Sequence, residues 1–153
     1  MLPNIAGFFA GLFVAMALIA GIELGGFALL GELPEDLQSP DPQVMQAAVA
    51  KLPTIAFVML IAAYTVGSFG GALVAGLICR SGRLVFPALI GALIWGSTLY
   101  WLLKIPSPLL VWFSLLTVPL ATVAGALLAL VLRPSPLPGI QPYDMRKKGM
   151  ACK

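Results

Sequence analysis

The stretch LPTIAFVMLIAAYTVGSFGGALVAGLIC, Leu52 to Cys79, runs for 28 residues without a charged side chain. A helix needs about 20 predominantly apolar residues to cross the ~30 Å hydrocarbon core of a bilayer. A segment this long and this uncharged therefore reads as a transmembrane helix. Its internal glycines would weaken a helix in water, but lipid tolerates them where neighbouring helices satisfy the backbone. Three further stretches share its character. Ile5 to Ile22 is uncharged, meets Glu23 and continues as LGGFALL to Leu30; Leu84 to Leu103 and Leu109 to Leu132 are uncharged throughout. The spans are thus placed at about 5–30, 52–79, 84–103 and 109–132.

A cleaved signal peptide competes for the first span. It is disfavoured because MLPN offers no basic side chain and the apolar run exceeds the roughly 7–15 residues of a signal core. Composition points the same way as the spans. The chain is 60% hydrophobic and 10% charged, where a soluble domain carries about 25% charged residues. Disorder, which needs low hydrophobicity and high charge, is excluded. The expected architecture is all-α: an integral-membrane bundle of four transmembrane helices over residues 1–132, then a basic, proline-rich tail over 133–153.

Several functions are removed by what the chain lacks. It has no histidine, hence neither the usual neutral-pH proton shuttle nor the commonest metal ligand. Cys79 and Cys152 are too few for a disulfide scaffold or a four-ligand zinc site, and read as free thiols. No phosphate loop, dinucleotide fingerprint, nucleophile elbow or metalloprotease helix occurs. The acidic residues Glu32, Glu35, Asp36 and Asp41 lack the spacing of a calcium loop. No metal or cofactor is expected. A net charge of +3 is too small to suggest nucleic acid.

The connections carry the orientation. The loop GELPEDLQSPDPQVMQAAVAK, residues 31–51, places Asp41 before Pro42, the pattern of a helix N-cap and first helical residue. PQVMQAAVAK then reads as a short helix at the interface or over the bundle end, or as a run into the second span bent at Pro53. RSGR, with Arg80 and Arg83, is a tight turn, and KIPSP carries Lys104. Basic residues near spans collect on the cytoplasmic side. Arg80, Arg83, Arg133, Arg146, Lys147, Lys148 and Lys153 fall on one side, against Lys51 and Lys104 on the other. Both termini are therefore expected in the cytoplasm, with the acidic loop outside.

Lipid does not press helices together by the hydrophobic effect, so close packing of small residues must supply much of the association. Such residues recur four apart in every span: Gly7, Gly11 and Ala15, then Ala17, Gly21 and Gly25; Gly67, Gly71 and Ala75, beside Gly70 and Gly76; Ala88, Ala92 and Gly96, beside Gly91; Thr117, Ala121, Gly125 and Ala129. Pro87 lies in the first turn of the third span, where its missing N–H matters little. Pro119 lies mid-span and should bend the fourth helix. Tyr100, Trp101 and Trp112, with Trp95 nearby, bracket the Lys104 turn and read as interfacial anchors at the outer headgroup level.

Glu23 is the one ionisable side chain inside a span, and such residues are costly and often functional. It lies about 27 Å beyond Ile5 at 1.5 Å per residue, near the outer boundary. It is read either as a boundary carboxylate bonded to tyrosine or backbone groups, or as a proton or cation site facing the interior with Tyr64, Thr65 and Ser68 as partners. No second carboxylate lies in a span for paired acid–base chemistry. The expected role is non-enzymatic: a structural or accessory subunit of a larger membrane complex, or a homo-oligomer, with lipids and other subunits or its own copies as partners. The alternative is a small transporter or channel using Glu23.

The order LPEDLQSPDPQVM, AAVAKLPTIAF, AYTVGSFGGALVAGLI resembles a group of small bacterial inner-membrane proteins with four helices, over about residues 15–80. The matching positions are Glu23, Pro53, Gly67, Gly70 and Gly71. Similar chains often have histidine after their Glu-x-Gly; here Gly26 takes that place, so no histidine chemistry carries over. The resemblance implies the four-helix fold and a bacterial inner membrane, and brings no activity with it.

The orientation is open to direct labelling. A cysteine at Glu35 should react with an impermeant maleimide added to intact cells, whereas Cys152 should react only after permeabilisation. Both reacting from the same side would overturn the four-span topology.

Overall fold

A computed structural model of the chain describes residues 2–30, 41–79, 81–104 and 108–132. Among these residues all the regular secondary structure is helical. Helix α1 spans Leu2–Leu30, α2 Pro42–Ala50, α3 Thr54–Ile78 and α4 Val85–Lys104; a 3₁₀ turn over Leu109–Phe113 leads into α5, Ser114–Leu132. Four stretches are long and apolar enough to cross a bilayer: Asn4–Gly26, Thr54–Ile78, Val85–Lys104 and Leu109–Leu132. The expected spans coincide with these to within a few residues at each end.

The boundaries have local causes. Asp41 caps α2, its carboxylate accepting the Gln43 N–H at 2.9 Å, with Pro42 as the first helical residue. Extended Pro53 then precedes α3, so α2 is a separate short helix rather than the bent start of the second span. The α3–α4 turn needs Gly82 at φ +68°, in the left-handed region that glycine enters without strain. Its carbonyl accepts the N–H groups of Val85 and Phe86, which starts α4.

Helix α3 is the hub. It packs along α1 on one side and α5 on the other; α4 leans on both α3 and α5. The contact with α1 is antiparallel, in one register from end to end: Gly7 meets Cys79, Gly11 meets Ala75, Ala15 meets Gly71, Ile19 meets Gly67 and Gly26 meets Met59. The backbones nearly touch at its centre. A methyl group on Gly71 would lie 2.7 Å from Ala15 Cβ and 2.8 Å from the Gly11 carbonyl oxygen. On the other side, a methyl on Gly125 would land on the Phe69 carbonyl, and one on Gly91 would strike the Thr122 side chain. Gly70 packs under Leu18, and Ala75 is fully buried.

The core is accordingly built from small side chains. Ala15, Ala63, Ala72 and Ala75 are completely buried, and Ile90 and Val118 are the largest such residues besides proline. Phe9, Phe13, Leu24, Leu109 and Val131 point outwards. Large apolar groups outside and small ones inside suit a molecule whose solvent is hydrocarbon.

Pro119 lies inside α5. Without an N–H it cannot bond the carbonyl four residues back, that of Leu115. The indole N–H of Trp95 on α4 donates to that carbonyl at 3.0 Å. A second polar seam joins α3 to α5: the Thr65 and Thr117 hydroxyls lie 3.0 Å apart, and the Ser68 hydroxyl, 3.0 Å from the Thr65 carbonyl, is 3.4 Å from that of Val118.

Two stability predictions arise here. Gly71→Leu must push α1 off α3, and overpacking of a close-packed site costs about 1–3 kcal/mol or more; a marked drop in the detergent melting temperature is expected. Trp95→Phe should destabilise by about 0.5–1.5 kcal/mol, and by less in a Pro119→Ala background, where a restored N–H can reach the Leu115 carbonyl. Equal losses in both backgrounds would show that the indole bond does not serve the proline gap.

Candidate functional site

The α1–α3 register, continued past Ile19 and Gly67, sets Glu23 beside Ala63. Ala63 is completely buried, and its lack of bulk leaves room for the carboxylate arm. Glu23 itself is half-buried. It is close enough to Tyr64 for its charge to act on the phenol, yet it makes no hydrogen bond among the described residues. The other two candidate partners turn away from it. Thr65 and Ser68 point to the α5 side of α3: the Thr65 hydroxyl donates to the Ile61 carbonyl at 2.7 Å and meets Thr117, and Ser68 approaches Val118. Of the three polar neighbours the spacing offered, the fold thus brings only Tyr64 to Glu23. The carboxylate stands in the last turn of the Asn4–Gly26 stretch, towards the end of the bundle that also carries Lys104.

The aromatic anchors gather at that same end. Tyr100, Trp101 and Trp112 are all exposed. Tyr100 packs edge-on against Trp101, with centroids 5.8 Å apart, and the Lys104 ammonium lies 4.8 Å above the Tyr100 ring. A cation over a ring and indoles facing outwards match a headgroup-level belt. Trp95 differs from them: its N–H is committed to Leu115 on the neighbouring helix.

The opposite end is held by a contact that spacing did not foretell. The Asn4 side-chain amide donates to the Ser81 hydroxyl, and its oxygen accepts the Ser81 N–H at 3.3 Å. The Cys79 thiol faces the Asn4 carbonyl at 3.5 Å. The start of α1 is thereby tied to the α3–α4 turn, near Arg83. Of the residues expected to set orientation, Arg83 alone is described; Arg80, Arg133, Arg146, Lys147 and Lys148 lie outside the described residues, as do Glu32, Glu35, Asp36 and the whole 133–153 tail.

Of the packing residues, Gly67, Gly70, Gly71, Ala75, Gly91 and Gly125 lie at helix contacts, and Gly96 does not: among the described residues nothing from another helix lies within 4 Å of where its side chain would begin. Gly21 and Gly25 on α1 are open in the same way. No group of three or more histidine, cysteine, aspartate or glutamate residues among the described residues could hold a metal ion. Compared with protein-family models, curated proteins and solved structures, the chain finds no match.

The Cys79 thiol is completely buried, so reagents in water do not reach it in the folded protein. In a Cys152→Ser background, maleimide should modify the folded protein slowly at pH 7 and rapidly once it is unfolded. Equally fast reaction in both states would show that Cys79 is open.

Proposed function

We propose that the chain is a non-enzymatic, multi-pass integral membrane protein that serves as a structural or accessory subunit of a larger membrane complex, or assembles with its own copies. The observation that carries this reading is the set of glycines with nothing against them. Glycine inside a helix is unfavourable by about 1 kcal/mol relative to alanine. At Gly71, Gly91 and Gly125 the close contact explains it; at Gly21, Gly25 and Gly96 no contact among the described residues does. Ala17 and Ala20 extend the first of these faces on α1. A groove of about 280 Å³ between α4 and α5 is lined by Ala88, Gly91, Ala92, Trp95, Pro119, Thr122 and Val123. These are surfaces on which another helix can approach closely.

The cellular setting proposed is a bacterial inner membrane with both termini in the cytoplasm. The sevenfold basic side against the twofold one, and the resemblance of residues 15–80, support it. A second reading, a small transporter or channel using Glu23, has one observation in its favour: a span carboxylate beside a tyrosine with no hydrogen bond to it among the described residues.

The two readings separate experimentally. In mild detergent the native chain should run with fixed partners or as an oligomer, and Gly21→Leu or Gly96→Leu should break that assembly while leaving the melting temperature of the isolated chain unchanged. A wild-type chain found only as a dispersed monomer would remove the assembly reading. Proton or cation flux into vesicles that Glu23→Gln abolishes would establish the transporter instead.

A further inference from the structure

At the Lys104 end of the bundle, α3, α4 and the start of α5 diverge around a cavity of about 230 Å³. Leu60, Ile61, Leu102 and Val111 form its apolar wall; Tyr64, Thr98, Ser114 and Trp101 complete the lining. Thr98 and Ser114 are almost completely buried, whereas Trp101 is exposed, so the hydroxyls lie inside and the indole stands at the rim.

The polar groups differ in what they can still do. The Thr98 hydroxyl donates its proton to the Ile94 carbonyl at 2.9 Å, and the Ser114 hydroxyl donates to the Val111 carbonyl at 2.6 Å. What these two oxygens can still offer is lone pairs, at fixed positions. The Tyr64 phenol makes no hydrogen bond among the described residues and retains its donor. Two acceptors and a donor, with no charged residue in the lining itself and the Glu23 carboxylate reaching Tyr64 from outside it, suit a polar group that both gives and takes a hydrogen bond. The hydroxyl group does so. The rest of the wall selects hydrocarbon.

Size and depth narrow the occupant. Sites for drug-sized ligands are about 300–1,000 Å³, so this one holds a single chain or ring rather than a two-chain lipid. The rim residue Trp101 belongs to the aromatic belt, the level at which lipid polar groups meet their chains. We infer that this cavity is a binding site for a neutral single-chain amphiphile, its hydroxyl end held by Tyr64, Thr98 and Ser114 and its hydrocarbon lying against Leu60, Ile61 and Leu102.

The probe is a long-chain alcohol carrying a diazirine, with the matching diazirine alkane as control, added to the full-length protein in phosphatidylcholine nanodiscs. Photolabelling by the alcohol should saturate and map to Leu60, Ile61 and Leu102, while the alkane should label the outer surface diffusely. Thr98→Val and Tyr64→Phe should each raise the half-saturating concentration about fivefold, the effect of one lost neutral hydrogen bond. Ile61→Trp should fill the cavity and abolish the saturable fraction. Should Thr98→Val disturb folding, Tyr64→Phe decides alone, because it removes a hydroxyl that bonds nothing among the described residues. Identical labelling by alcohol and alkane, or saturation unmoved by Tyr64→Phe, would overturn the site. So would a photoreactive residue at position 61 that crosslinks to a second copy of the chain, which would make the occupant a protein side chain.

Discussion

The near-contact of two backbones, α1 at Gly11 and α3 at Gly71, sets the rest of the arrangement. Hydrocarbon gives helices no reason to associate through apolar area alone, so attraction must come from atoms brought within van der Waals range over a long seam. Side chains no larger than a methyl group at the centre of that seam let the register run from Gly7–Cys79 to Gly26–Met59 without interruption. With one face of α3 occupied in this way, its other face is left for α5, where Gly125 repeats the device against Phe69. The helix between them has little bulk to offer on either side, which is why Ala63, Ala72 and Ala75 are buried while Phe9 and Phe13 of α1 are exposed.

Much of this was legible in the residues. Span lengths follow from uncharged runs; the α2 start follows from Asp41 and Pro42; the α3–α4 turn follows from Ser81 and Gly82. The choice between the two small-residue stripes of α1 was not legible. Gly7–Gly11–Ala15 and Ala17–Gly21–Gly25 look alike, and only the shape of the partner decides which is covered. The same ambiguity affects α4, where Gly91 is used and Gly96 is not. Trp95 stood near the belt without belonging to it, and its residue type names no partner. Its bond to Leu115 depends on a proline on another helix, a relation that periodicity within one helix does not contain.

The candidate site was legible in the same partial way. An acid in an apolar run is visible at once, and spacing placed Glu23 near the boundary. Which neighbours it meets depends on the rotation of α3, and that rotation turns Thr65 and Ser68 toward α5. The hydroxyl-lined cavity drew on residues from three separate segments, none forming a motif by itself. Cavities of this kind arise where helices splay, and splay is a property of crossing angles rather than of any one sequence window.

The donation from Trp95 to Leu115 bears on how the chain enters the bilayer. An isolated α5 would carry into hydrocarbon a main-chain oxygen lacking its usual donor, a burden of the kind that disfavours unpartnered segments in lipid. The donor sits on the helix immediately before it, across a connection of a few residues. The smallest piece that carries α5 with this carbonyl satisfied is therefore the α4–α5 hairpin, so these two helices are best pictured as entering the bilayer together.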